Sequence, residues 1–219
     1  MEPVLFMRAK LYKTNRLFFL LYILFGVFSV FILLFFTKAE GFFFLNPYHN
    51  NFLDWFFIVF TYIGDGFFCI AIGILLFLFK KKYLSLMVLS SYLLSGLIAQ
   101  VLKYFILEAR PAVFLEKIKY DYFITDVTLH NYHSFPSGHS ASAFALAAIL
   151  SFSVKNKNYS LLFLAGAILV GYSRIYLGQH FIDDVLAGSV VGIISAIFCW
   201  LFFDKLFYNL LNRKTKMKN

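Results

Sequence analysis

The chain has 219 residues, of which 61% are hydrophobic and only 14% charged, with 31 phenylalanines and a formal net charge of +9. Soluble domains carry about 25% charged and about half apolar residues, and no single core of this length hides so much apolar surface. Disordered, collagen-like, coiled-coil and disulfide-scaffold classes fail on the same numbers, which leaves an integral membrane protein.

A bilayer core about 30 Å thick takes roughly 20 apolar residues in a helix. Leu17–Phe36 is the first such run. It is longer than the apolar region of a signal peptide, and Thr37-Lys38-Ala39 makes a poor cleavage site. Trp55–Phe79 follows, interrupted at Gly64-Asp65-Gly66, where an interfacial segment gives way to the helix proper. Tyr83–Ile106, Ser137–Val154, Leu161–Gln179 and Val185–Phe203 complete six expected spans. The predicted fold is therefore all-α: a polytopic bundle of six transmembrane helices forming one domain over residues 1–219. Cys69 and Cys199 lie within apolar runs, without metal-ligand spacing, and read as packing residues. The longest connection, Leu107–Phe135, suggests a structured lid or re-entrant segment.

Basic residues set the orientation, because Lys and Arg are retained on the cytoplasmic side. Arg8, Lys10, Lys13 and Arg16, then Lys80–Lys82, Lys155 and Lys157, and the tail from Lys205 to Lys218 fall on alternate connections. The other face holds most of the acids. Both termini are thus expected in the cytoplasm, and the positive charge reflects topology without a nucleic-acid groove.

Ionisable residues near membrane depth are costly and usually functional. Lys103 and Arg110-Pro111 close the third span; Pro136-Ser137-Gly138-His139 opens the fourth; Ser173-Arg174 and His180 through Asp184 join the fifth to the sixth. With alternating spans, all three clusters reach the same outer interface. Lys103 and Arg110 are seven apart and share a helix face, while Pro111 ends that helix. Pro136 suits a first helical turn, and Gly138 permits close approach to amides that favour an anion. His180 and Asp184 stand at i and i+4, so the carboxylate can fix one ring nitrogen and free the other for attack. Asp183 is an alternative partner at this stage. Singly, the cations could be snorkelling interfacial residues and the His–Asp pair a surface contact. A zinc site fits poorly among Lys103, Arg110 and Arg174, which favour an anion.

Together the clusters resemble the signature of the type 2 phosphatidic acid phosphatase superfamily: Lys-x6-Arg-Pro, Pro-Ser-Gly-His and Ser-Arg-x5-His-x3-Asp, matched in order from Lys103 to Asp184. The resemblance implies that His180 is the nucleophile on phosphorus, Asp184 (rather than Asp183) its orienting partner, and His139 the general acid. It implies that Lys103, Arg110, Ser137, Gly138 and Arg174 hold phosphoryl oxygens, with no metal and no cofactor. Vanadium haloperoxidases share this constellation on soluble bodies, for which this chain is too apolar.

The expected function is a lipid phosphate or diphosphate phosphatase with its substrate in the bilayer, a polyprenyl (undecaprenyl) diphosphate being preferred. Phosphatidylglycerol phosphate, phosphatidic acid and lipid A are alternative substrates. A lipid phosphotransferase and a lipid transporter are alternative functions. The expected location is a bacterial inner membrane, with the active site on the extracytoplasmic face. Asp65 and the loop residues Asp126, His130, Tyr132 and His133 are secondary candidates.

Overall fold

The computed structural model describes residues 10–116, 120, 122–125 and 127–216, with side chains as far as residue 206. Helix α1 (Arg16–Phe35) is apolar on every face and buries only Phe18, Ser29 and Ile32, so most of it meets lipid. It stops at Phe36, and a capping box starts α2 (Lys38–Leu45). The Thr37 side chain accepts from the Glu40 amide, and Glu40 Oε2 accepts from the Thr37 amide at 2.9 Å. This short helix lies between the first two expected spans, and Thr-x-x-Glu is its sequence cue.

The second expected span is a bent pair, α3 (Asn51–Phe60) with a 3-10 turn (Thr61–Gly64), and α4 (Gly66–Leu78), meeting at 56°. Its break has local causes. Asp65 caps α4 by accepting from the Phe67 amide at 3.1 Å. A Cβ on Gly64 would collide with Val170 and crowd His139, and one on Gly66 would collide with the Tyr92 hydroxyl.

Next come α5 (Lys82–Phe105), a single turn α6 (Pro111–Phe114), α7 (Gly138–Ser153), α8 (Tyr159–Tyr176) and α9 (Ile182–Lys216). The all-helical architecture agrees with expectation; the count of six spans does not follow from it. Helices α1, α5, α8 and the first part of α9 (Ile182–Leu206) are long and apolar enough to cross a membrane, and the bent pair makes a fifth. Helix α7 has 16 residues, about 24 Å at 1.5 Å per residue, short of a bilayer core of about 30 Å.

Short as it is, α7 is the centre of the bundle, packing on α5, α8 and α9. Its alternation of Ala and Ser lets three neighbours approach on different sides, and twelve of its residues are buried. Lipid removes the hydrophobic drive between helices, so such close packing must hold the bundle together. Gly188 and Gly192 of α9 permit it: a Cβ on either would strike the Ser137 or Ala141 carbonyl. Cys69 and Cys199 are buried free thiols, as expected.

Candidate active site

The turn between α8 and α9 builds one side of the site. Gly178 takes φ 65° there, a backbone conformation glycine adopts without strain. This reversal lets the amides of Gln179 and His180 both bond the Arg174 carbonyl, at 2.9 and 3.1 Å. Asp184 lies in the first turn of α9, wholly buried, and its Oδ2 accepts from the Phe181 amide at 2.8 Å and from Ser134 Oγ at 2.5 Å. The same oxygen faces His180 Nδ1 at 3.2 Å. Nδ1 therefore carries the proton toward the carboxylate, which leaves Nε2 as the basic nitrogen. Burial, then the charges of Arg110, Arg174 and Lys103, hold the His180 pKa well below its usual value. The ring is neutral at physiological pH, the form that can attack phosphorus.

Three cations surround this histidine, and neutral oxygens hold each of them. Lys103 Nζ, at the end of α5, donates to the His133 carbonyl at 2.5 Å. Arg110 donates from Nε to the Tyr132 carbonyl at 3.1 Å, and from Nη1 to the Gln179 carbonyl at 3.2 Å and Oε1 at 3.1 Å. Arg174, buried, donates from Nη1 to Thr61 Oγ1 at 2.9 Å, and its Nε has no partner among the described residues. None of the three is ion-paired to a carboxylate among the described residues. Their charge stays available to an anion.

Ser137 caps α7, accepting from the Ser140 amide at 3.3 Å and from Ser140 Oγ at 2.9 Å. Its own hydroxyl hydrogen is left to donate elsewhere. Its amide donates to the Asp184 carbonyl at 2.9 Å, tying the start of α7 to the start of α9. A Cβ on Gly138 would meet no atom within 4 Å, so open space lies before that residue. His139 lines a cavity of about 240 Å³ together with Thr61, Thr128, His130, Arg174 and Gln179. Pro136 stands before the cap, outside the first helical turn where sequence reading put it.

The remaining candidates divide. Asp183 is not the histidine's partner: it bonds Lys38 at 2.8 Å. Asp65 is a helix cap. His133 fastens the loop to α5, its Nδ1 lying 2.9 Å from the Lys103 carbonyl, and His130 faces the cavity. Asp126 lies outside the described residues. Carboxylate oxygens of Glu108, Asp183 and Asp184 come within 4.8 Å of one another, yet the Lys38 ammonium already sits against the first two, where a metal would need to be. Ser134, Gln179, Thr61 and Lys38 were missed from sequence. Only Gln179, beside His180, carries a positional hint; the others are ordinary residues brought in by folding.

The chain has relatives among known proteins. The model of the PAP2 superfamily matches residues 84–208, more than half of the chain. The chain belongs to the PAP2 superfamily. Among PAP2 relatives, the lipid A 4′-phosphatase of Porphyromonas gingivalis is 34% identical over 144 residues, covering 59% of this chain and 58% of that protein. The chain spans about three fifths of the length of such curated relatives. The crystal structure of Aquifex aeolicus LpxE is 34% identical, with a TM-score of 0.60 over 74% of this chain and 94% of that one. A Bacillus subtilis transmembrane PAP2-type phosphatidylglycerolphosphate phosphatase is 25% identical, with a TM-score of 0.62 over 88% and 96% of the two chains. An undecaprenyl-diphosphatase of Sulfolobus acidocaldarius is 28% identical over 130 residues, 59% of this chain and 60% of that one.

Proposed function

We propose that the protein hydrolyses the phosphoryl head group of a membrane lipid on the extracytoplasmic face of a bacterial inner membrane, with both termini in the cytoplasm. The observation that carries this is a neutral His180 held by Asp184 among Lys103, Arg110 and Arg174, none of them paired with a carboxylate among the described residues. Such a site has positive charge to spare and a nucleophile at its centre.

In the proposed reaction the cations, the Ser137 hydroxyl and the Gly138 amide bind the phosphoryl oxygens. His180 Nε2 forms a bond to phosphorus while the bond to the lipid oxygen breaks, and His139 gives that oxygen its proton. Water then attacks phosphorus as the bond to His180 Nε2 breaks, giving a proton to His139 and releasing inorganic phosphate. Donors already in place stabilise the charge of both transition states, and the scheme calls on no metal or cofactor.

For the substrate we favour a phosphomonoester lipid of the lipid A or phosphatidylglycerol phosphate class, on the names of a lipid A 4′-phosphatase 34% identical and a phosphatidylglycerophosphatase B 33% identical to this chain. The polyprenyl diphosphate preferred from sequence has the more distant archaeal relative behind it. Phosphate release by the purified protein should be measured with lipid A, phosphatidylglycerol phosphate, phosphatidic acid and undecaprenyl diphosphate. The expected result is release from at least one of them, unaffected by EDTA and blocked by vanadate, which mimics the trigonal-bipyramidal centre. Turnover lost on chelation and restored by Mg²⁺ would overturn the scheme. A phosphorylated lipid product without free phosphate would indicate a phosphotransferase, and lipid movement with its phosphate intact a transporter.

A further inference from the structure

Lys38 lies outside the signature, on the short helix α2, and yet it touches three parts of the structure that carry site residues. Its ammonium bonds Glu108 and, at 2.8 Å, Asp183 Oδ2, and it stands over the Phe181 ring at 4.6 Å from the centroid. Each contact leads to the site within a residue or two. Glu108 precedes Arg110 by two positions, and its carbonyl accepts from the Ser134 amide at 3.1 Å. Ser134 in turn donates its hydroxyl to Asp184 at 2.5 Å. Asp183 precedes Asp184, and Phe181 follows His180 while its amide bonds Asp184.

We propose that Lys38 is a positioning residue: by drawing Glu108 and Asp183 together it holds Arg110 and the His180–Asp184 pair in one geometry. Without it, two carboxylates would face each other beside Asp184, and their repulsion would part the loop from the start of α9. Burial works against the charge of Lys38, but its bonds to Asp183 and Glu108 prevail and raise its pKa, so the clamp is charged at every physiological pH. An unconnected interfacial lysine would snorkel to water, whereas this side chain is only 21% exposed.

This inference rests on the phosphatase reading for its kinetic arm only, because vanadate binding reports the same geometry without turnover. Wild type, Lys38→Met, Lys38→Arg, Glu108→Gln and the double variant Lys38→Met/Glu108→Gln should be compared in detergent. The measurements are vanadate affinity by calorimetry, phosphate release, and thermal unfolding. Lys38→Met is expected to weaken vanadate binding and kcat/KM by tenfold or more. Lys38→Arg should restore most of both. The double variant should lose no more than Lys38→Met alone, since both changes break one unit. Wild-type affinity and kinetics in Lys38→Met would overturn the clamp. So would a loss that follows the unfolding temperature and that Lys38→Arg fails to restore. A wild type that binds vanadate but releases no phosphate would overturn the phosphatase reading and leave the clamp to be judged on affinity. A wild type that does not bind vanadate overturns both.

Discussion

The two histidines differ in how they are held. His180 is buried, with Nδ1 on Asp184, whereas His139 opens onto a cavity beside Arg174. His180→Ala should be inactive toward every substrate, because no covalent intermediate can form. His139→Ala should lose about 10²–10⁴-fold on a lipid monoester, the usual worth of general acid catalysis, and much less on p-nitrophenyl phosphate, whose leaving group needs no proton. Equal losses on both substrates would remove that role from His139. The pH profile tests the site's electrostatics. With its pKa held below about 6.5, the ordinary value, His180 stays neutral as the medium is acidified, so the acid limb of kcat/KM belongs below that value. Arg110, after burial, is the leading cause of this depression. Arg110→Gln should therefore move the acid limb to higher pH, besides weakening binding.

At the level of elements, α7 and α9 must lie close for the site to exist. The Ser137 amide bonds the Asp184 carbonyl, and Gly188 leaves room for the Ser137 carbonyl. Gly188→Ala should cost about 1–3 kcal/mol by overpacking and lower activity with it, because the two helix starts move apart. Gly138→Ala offers the opposite test. A methyl there meets nothing within 4 Å, so the unfolding temperature should hold while phosphate binding and turnover fall. Thermal unfolding in detergent alongside phosphate release separates the two behaviours. The broken second span follows the same logic: Gly64 keeps the chain thin where it passes His139 and Val170, so a continuous helix with side chains there would not fit.

Over the whole molecule, the proposed extracytoplasmic position of the site rests on the placement of basic residues and on the meeting of all three clusters at one end. Cysteines introduced singly at Ala112 and Lys157 test this with an impermeant thiol reagent in intact cells or spheroplasts. Ala112 should label and Lys157 should not, and the reverse pattern would invert the orientation. The native thiols are both buried, which keeps background labelling low.

What the sequence determined by itself was whatever depends on composition and spacing along the chain. Apolar runs long enough for a bilayer declare most of the spans, and ordered motifs from Lys103 to Asp184 point to the candidate site and the family. These signals are local, so one chain suffices to read them. Periodicity leaves Asp183 and Asp184 open and the motif spacing prefers Asp184; tertiary structure showed the contact with His180 and gave Asp183 to Lys38. It decided that Ser134, Thr61 and Gln179 hold the charged groups, because contacts between residues 50, 69 or 113 positions apart leave no periodic trace. It also decided that α7 is a short helix at the centre of the bundle. Hydropathy registers how apolar a segment is, but only packing tells whether lipid or other helices surround it.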